Sequence, residues 1–243
     1  MCEKCSSNQI HPTSPSRRSV VLFAASALGL MLADTANAKE KKAPPKPQNV
    51  LSPDAALKRL MEGNSRYVDG TSRRHDFKHE REALVGGQNP FAAVLSCADS
   101  RIAPEYAFDS ARGDLFVCRV AGNFANDETV ASMEYAVAVL GTPMILVLGH
   151  DSCGAVDATI KSLKDDKPLP GHIPSLVAAI APAVKASAQQ SGNALDNAIR
   201  QNVIDNVARM KSAAPILNAV EQNKLKVVGG IYRLATGKVD LVN

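Results

Sequence analysis

Three short apolar runs constrain the fold of this chain more than any other feature: FAAVLSC (residues 91–97), DLFVCRV (114–120) and PMILVLGH (143–150). None alternates apolar with polar residues, which is the pattern of strands buried on both faces. Between the last two, NDETVASMEYAVAVLG (126–141) opens on Asn and acidic residues and closes on Gly, predicting a crossover helix. Strand, helix, parallel strand makes an α/β sheet with helices over its faces. After Pro168 the chain is mainly helical. It closes on KLKVVGGIYRLATGKVDLV, two strand runs joined at a Thr-Gly turn, a hairpin that adds an antiparallel edge. Upstream, Ser52 and Pro53 form an N-cap and first-turn pair, opening a helix to about Val68 with Ala56, Leu60 and Tyr67 near one face. HDFKHEREALVGG predicts a second short helix ended by Gly86 and Gly87. With 243 residues, 45% of them hydrophobic, one good-sized core is within reach.

The longest apolar stretch lies outside this pattern. Residues 20–32 are 13 in number, short of the roughly 20 that a membrane-spanning helix needs. They follow SPSRRSV, with Arg17 beside Arg18, and lead into ADTANAKE, whose Ala36-Asn37-Ala38 is a small-residue cleavage site. Charged region, short apolar region and A-x-A end predict an export signal over 1–38, and the arginine pair is of the twin-arginine type. The expected mature chain starts at Lys39 in the periplasm, with a Lys/Pro-rich linker over 39–50 and one domain over 51–243. The segment 1–38 carries Lys4, Arg17 and Arg18 against Glu3 and Asp34, so processing lowers the net charge from +4 to +3. That charge is mild and scattered, with no basic run interleaved with aromatics, so neither nucleic acid nor, after processing, a membrane is an expected partner. Cys2 and Cys5 leave with the signal. The remaining Cys97, Cys118 and Cys153 are an odd number, which argues against a pure disulfide framework in an exported protein.

In parallel sheets, ligands bind beyond the carboxyl ends of the strands. The first run delivers Cys97, Asp99 and Arg101 there; the third delivers His150 and Cys153, three residues apart at the start of a predicted helix. An imidazole with two thiolates is a borderline-soft donor set suited to zinc, and three ligands leave the fourth position open, as catalytic zinc sites do. Asp99 beside that position could orient a bound water or bind the metal and block it. Arg101, two residues on, can hold the carboxylate off the metal by a bidentate pair. Cys118, inside an apolar run, is expected to pack as a small hydrophobe, and His75 and His79, among Arg73, Arg74, Lys78 and Glu80, to lie on a solvated face.

CADSR followed by GHDSCGAV resembles the β-class carbonic anhydrases, with their C-x-D-x-R then H-x-x-C pattern. The likeness runs from about Leu51 to the C-terminus and includes RVAGN (119–123) and MEYAV (133–137). It implies a mainly parallel four-stranded sheet with a fifth strand at the edge, flanked by helices and built into homodimers or higher multiples. It further implies that Cys97, His150 and Cys153 hold one zinc ion, that Asp99 and Arg101 form the orienting dyad, and that zinc-bound hydroxide attacks carbon dioxide to give bicarbonate. Gln88 matches the family's substrate-binding glutamine, Gly154 a glycine whose backbone lies close to substrate, and Phe116 an apolar pocket wall. The allosterically gated subclass has a tryptophan three residues before its first zinc cysteine, part of a second bicarbonate pocket. Here that residue is Val94, the chain has no Trp, and only Arg119 matches that pocket. Two other functions remain open: hydrolysis of carbonyl sulfide or carbon disulfide on the same fold and ligands, and zinc binding or thiol redox chemistry without hydration. The joint presence of Gln88, Asp99 and Arg101 argues against the latter, since metal storage needs none of them.

Overall fold

The computed structural model describes residues 50–165 and 169–242; the expected export signal and the linker up to residue 49 lie outside them. Five strands form one sheet in the order β2-β1-β3-β4-β5. They are β1 (Ala92–Ser96), β2 (Leu115–Arg119), β3 (Met144–His150), β4 (Lys226–Tyr232) and β5 (Val239–Val242). The first four are parallel and β5 pairs antiparallel with β4, so the predicted hairpin forms the edge. Every residue of β1 and β3 is buried, as their unalternating runs require. The edge strand β2 is only half-buried despite an equally apolar run.

Eight helices are described. α4 (Asp127–Ala138) is the predicted crossover from β2 past β1 to β3; its N-cap Asn126 accepts from the Thr129 N–H, and Asp127 and Glu128 favour its positive end. α5 (Gly154–Asp165), α6 (Ile173–Ser187), α7 (Ala194–Ser212) and α8 (Ala214–Glu221) follow β3. α7 lies against β3 and β4, and two glycines permit the approach. A Cβ on Gly149 would stand 2.7 Å from Val203 Cγ2, and one on Gly229 2.6 Å from Val203 Cγ1.

α1 (Pro53–Val68) begins where Ser52 caps the Ala55 N–H, and it buries Ala56 and Leu60 as the sequence predicts. α2 (Phe77–Ala83) is short, and α3 (Pro104–Ala107) follows the loop after β1. α1 crosses α3 at Gly63, where a Cβ would lie 1.9 Å from the Phe108 carbonyl oxygen. Backbone cannot give way as a side chain can. Gly63→Ala is therefore expected to destabilise the fold by on the order of 3 kcal/mol, read as a lower urea midpoint with an unchanged denaturant slope. A wild-type midpoint would contradict this packing.

Candidate metal centre

β1 and β3 are hydrogen-bonded neighbours, and Ser96 pairs with Leu148. Cys97 thus leaves β1 beside the end of β3 that carries His150. After His150, Ser152 takes the left-handed conformation (φ 53°), turning the chain so that Cys153 sits just ahead of α5. The outcome is a cluster: one ligand atom each from Cys97, His150 and Cys153 lie within 4.8 Å of one another. All three residues are buried, and His150 is wholly so. No disulfide involves the three described cysteines.

The donor chemistry of the cluster fits a soft divalent metal. His150 Nδ1 lies 2.8 Å from the Asp151 carbonyl oxygen, and a carbonyl can only accept, so the proton sits on Nδ1 and the Nε2 lone pair is free. That Nε2 is buried with no protein hydrogen-bond partner, a costly arrangement unless something coordinates it. The two thiols shift in opposite directions. Cys97 is pulled down to about 4, first by accepting a bond from the Cys153 thiol, against the opposing effect of burial, with His150 and the Gly122 and Asp99 backbone assisting. The same bond, with burial and the charge on Cys97, pushes Cys153 far up, while the Ala155 and Val156 N–H groups at the start of α5 favour its thiolate. For His150, burial lowers the pKa most, but the nearness and charge of Cys97, with the Asp151 carbonyl and Asp99, outweigh it and the net shift is upward. A divalent cation among these donors would neutralise both thiolates and satisfy Nε2.

Asp99 borders the same spot, its Oδ2 3.8 Å from His150 Nε2. Arg101 grips it with a fork: Nε donates to Oδ1 at 3.0 Å and Nη2 to Oδ2 at 2.7 Å, while the Arg101 N–H adds a bond to Oδ1 at 2.9 Å. Those bonds hold the carboxyl well below the usual carboxylate range. Arg101 Nη2 also reaches the Ser152 carbonyl at 3.3 Å, tying the loop after β1 to the loop after β3.

Arg119, which by resemblance matches only a second bicarbonate pocket, has a further role here. Its Nε donates to the Cys97 carbonyl at 3.0 Å, and its Nη2 donates to the carbonyls of Asp99 and Ile102 at 2.7 and 2.8 Å. Three bonds from one guanidinium thus hold the turn that carries Cys97 and Asp99. Val94 is buried between Val117 and Leu146. Asp151, also missed in the sequence, accepts the Leu234 N–H at 3.0 Å through Oδ1, anchoring the carbonyl that orients His150 to the β4–β5 hairpin. Only the closeness of Asp151 to His150 could have signalled this.

Gly154 opens α5 directly after Cys153, is exposed, and has open space where a Cβ would point. Gln88 lies at the end of β1 opposite Cys97. It precedes β1, whose five residues lead away from it to Cys97, a span of about 16 Å at roughly 3.3 Å per residue. Phe116, paired with Ala93 near the start of β1, lies against Tyr135 with ring centroids 6.3 Å apart. Cys118 is half-buried on β2, and burial pushes its thiol up. His79 is exposed and paired with Asp76, as a solvated face implies. His75 differs: it is mostly covered, Nδ1 3.2 Å from Glu80 on α2 and Nε2 3.8 Å from Asp109, which follows α3.

A family model described as Carbonic anhydrase matches residues 92–239, more than half of the chain and all of the cluster. Among solved structures, the β-carbonic anhydrase CcaA superposes with a TM-score of 0.59 at 27% identity, covering 76% of this chain and 91% of that one. The chain belongs to the β-class carbonic anhydrases. Curated relatives include carbonic anhydrase 2 of Mycobacterium tuberculosis, 38% identical over 192 residues, and the carbonic anhydrase of Mycolicibacterium smegmatis, 39% identical over 193; each alignment covers 78% of this chain and 93% of the relative. The Coccomyxa β-carbonic anhydrase in complex with acetazolamide has a TM-score of 0.59 at 27% identity, covering 76% of this chain and 85% of that one. As in the sequence reading, this β-carbonic anhydrase has a mainly parallel sheet with an antiparallel edge, and its Cys-His-Cys set is suited to one zinc ion.

Proposed function

We propose that this protein catalyses the reversible hydration of carbon dioxide to bicarbonate and a proton at a zinc ion held by Cys97, His150 and Cys153. The observation that carries the reading is the joint geometry of three buried soft donors and an arginine-held carboxylate 3.8 Å from the unpartnered imidazole nitrogen. Zinc there supplies a Lewis acid that makes water a nucleophile near neutral pH. The chain's own residues do the rest. Asp99, kept ionised by Arg101, accepts a hydrogen bond from a hydroxyl at the open position and fixes its direction, and Gly154 leaves room beside Cys153 for a small linear substrate. Gln88 precedes β1 while Cys97 follows it, and delivery of Gln88 by a second copy would put it at the substrate, which favours a homodimer or higher homo-oligomer. Purified enzyme should hydrate carbon dioxide and be inhibited by acetazolamide. Turnover of carbonyl sulfide or carbon disulfide without carbon dioxide hydration would move the assignment to the hydrolases on this fold.

The export reading rests on Arg17, Arg18 and the Ala36-Asn37-Ala38 end of the apolar stretch. A folded-state route suits this centre, because thiols bound to zinc before export are protected from oxidation in a disulfide-forming compartment. Changing both arginines to lysine should strand the precursor in the cytoplasm, measured by fractionation. Undiminished periplasmic protein from that variant would sink the twin-arginine reading.

A further inference from the structure

We propose that Asn202 and Asn206 of α7 are positioning residues of the metal centre, holding the turn that presents the Gly122 N–H to the sulfur of Cys97. The inference rests on the zinc reading above. Asn202 is 1% exposed and Asn206 6%, on a helix whose other buried residues include Ala198, Ile199, Val203 and Met210. Two amides on that buried face are costly unless each finds partners. Both find them on the same turn. Asn202 Nδ2 donates to the Gly122 carbonyl at 2.8 Å, and Asn206 Oδ1 accepts the Ala125 N–H at 2.7 Å. Asn206 Nδ2 links the pair by donating to the Asn202 carbonyl and Oδ1 at 2.7 and 3.1 Å. Arg209 extends the row, its Nε on the Ala125 carbonyl and its Nη2 on Asp127, both at 2.6 Å.

The turn held in this way includes one residue with a side chain in the left-handed region. Gly122 has φ +85° and Asn123, with a side chain, φ +43°, a region that persists only where surroundings impose it. A Cβ on Gly122 would lie 2.5 Å from Ile180 Cδ1, so its main chain is pressed between α6 and the metal centre. On the other side, its N–H meets Cys97 Sγ at 3.3 Å. A hydrogen bond to a ligand atom fixes its direction and tempers its donation to the metal. α7 contributes no ligand, yet its polar row ends at the residue that meets one.

The test replaces zinc with cobalt(II) in the full protein and reads the thiolate-to-cobalt charge-transfer bands, with zinc affinity from chelator competition. Asn202→Ala and Asn206→Ala should each alter those bands and weaken zinc binding by about 10- to 100-fold. Ile216→Ala, which empties a buried site on α8, should lose stability yet keep the wild-type bands and affinity. Asn202→Asp, of the same size but without the Nδ2 donor, covers the case in which an alanine variant does not fold, and it should shift the bands too. Wild-type bands and affinity in the folded Asn202 and Asn206 variants would overturn the proposal and reduce the row to scaffold. A wild-type protein that binds cobalt without thiolate bands would instead overturn the zinc reading itself, and this inference with it.

Discussion

His150→Ala, Cys97→Ser and Cys153→Ser are each expected to yield folded protein that has lost its zinc and at least about a thousandfold in carbon dioxide hydration, roughly 4 kcal/mol of barrier at 1.4 kcal/mol per tenfold. The physical ground is the small number of ligands. With three donors within 4.8 Å of one another and a fourth position reserved for chemistry, no protein group is in reserve. Asp99 is the nearest substitute, and Arg101 already occupies both of its oxygens. Elemental analysis of the purified variants, beside stopped-flow hydration, checks the expectation. Full zinc in any of the three would refute its place as a ligand. Acid should act on the wild type in the same direction, because bound thiolates and imidazole must give way to protons and occupancy falls as pH falls.

Arg101→Ala is expected to behave in the opposite manner, keeping zinc while losing on the order of 100-fold in activity. Without the fork, the Asp99 carboxylate lies 3.8 Å from His150 Nε2 with nothing to hold it off the metal. It then competes for the open position. Zinc analysis and kcat/KM on one preparation separate this outcome from simple unfolding, and wild-type activity would contradict the gating role of Arg101. The pair also leaves a mark on stability. Its bonds lower the folded-state pKa of Asp99 below the unfolded value near 4, so its contribution is present above about pH 4 and disappears as pH falls further. Arg101→Ala should flatten that part of the acid limb.

The parts of this molecule that the sequence made legible are those in which a residue's role follows from its place along one strand. Cys97 and His150 end two unalternating runs, and such runs pair as neighbours in this parallel sheet, so the ligand cluster follows from the sequence pattern. What escaped depends on the partners of an element. β2 is as apolar as β1, yet it is half-buried because it stands at an edge of the sheet, and its own residues do not say how many neighbours it has. Asn202 and Asn206 look like a polar helix face; only counting them onto the stripe of Ala198, Ile199 and Val203 would have put them inside. Arg119 was visible in RVAGN, but its three carbonyl partners lie on a turn whose path the sequence does not specify. The charged neighbours of His75 in the sequence predict a solvated face, whereas Glu80 and Asp109 flank the ring and leave it mostly covered.

Carbon dioxide hydration by this chain should depend on one zinc ion held by Cys97, His150 and Cys153. The most direct measurement strips the purified protein with a chelator, returns zinc in steps, and follows carbon dioxide hydration by stopped flow alongside bound metal. Activity should be absent from the stripped protein and rise in proportion to zinc until one ion is bound per chain. Hydration by the stripped protein at the full rate, or none by a chain carrying one zinc, would contradict the account.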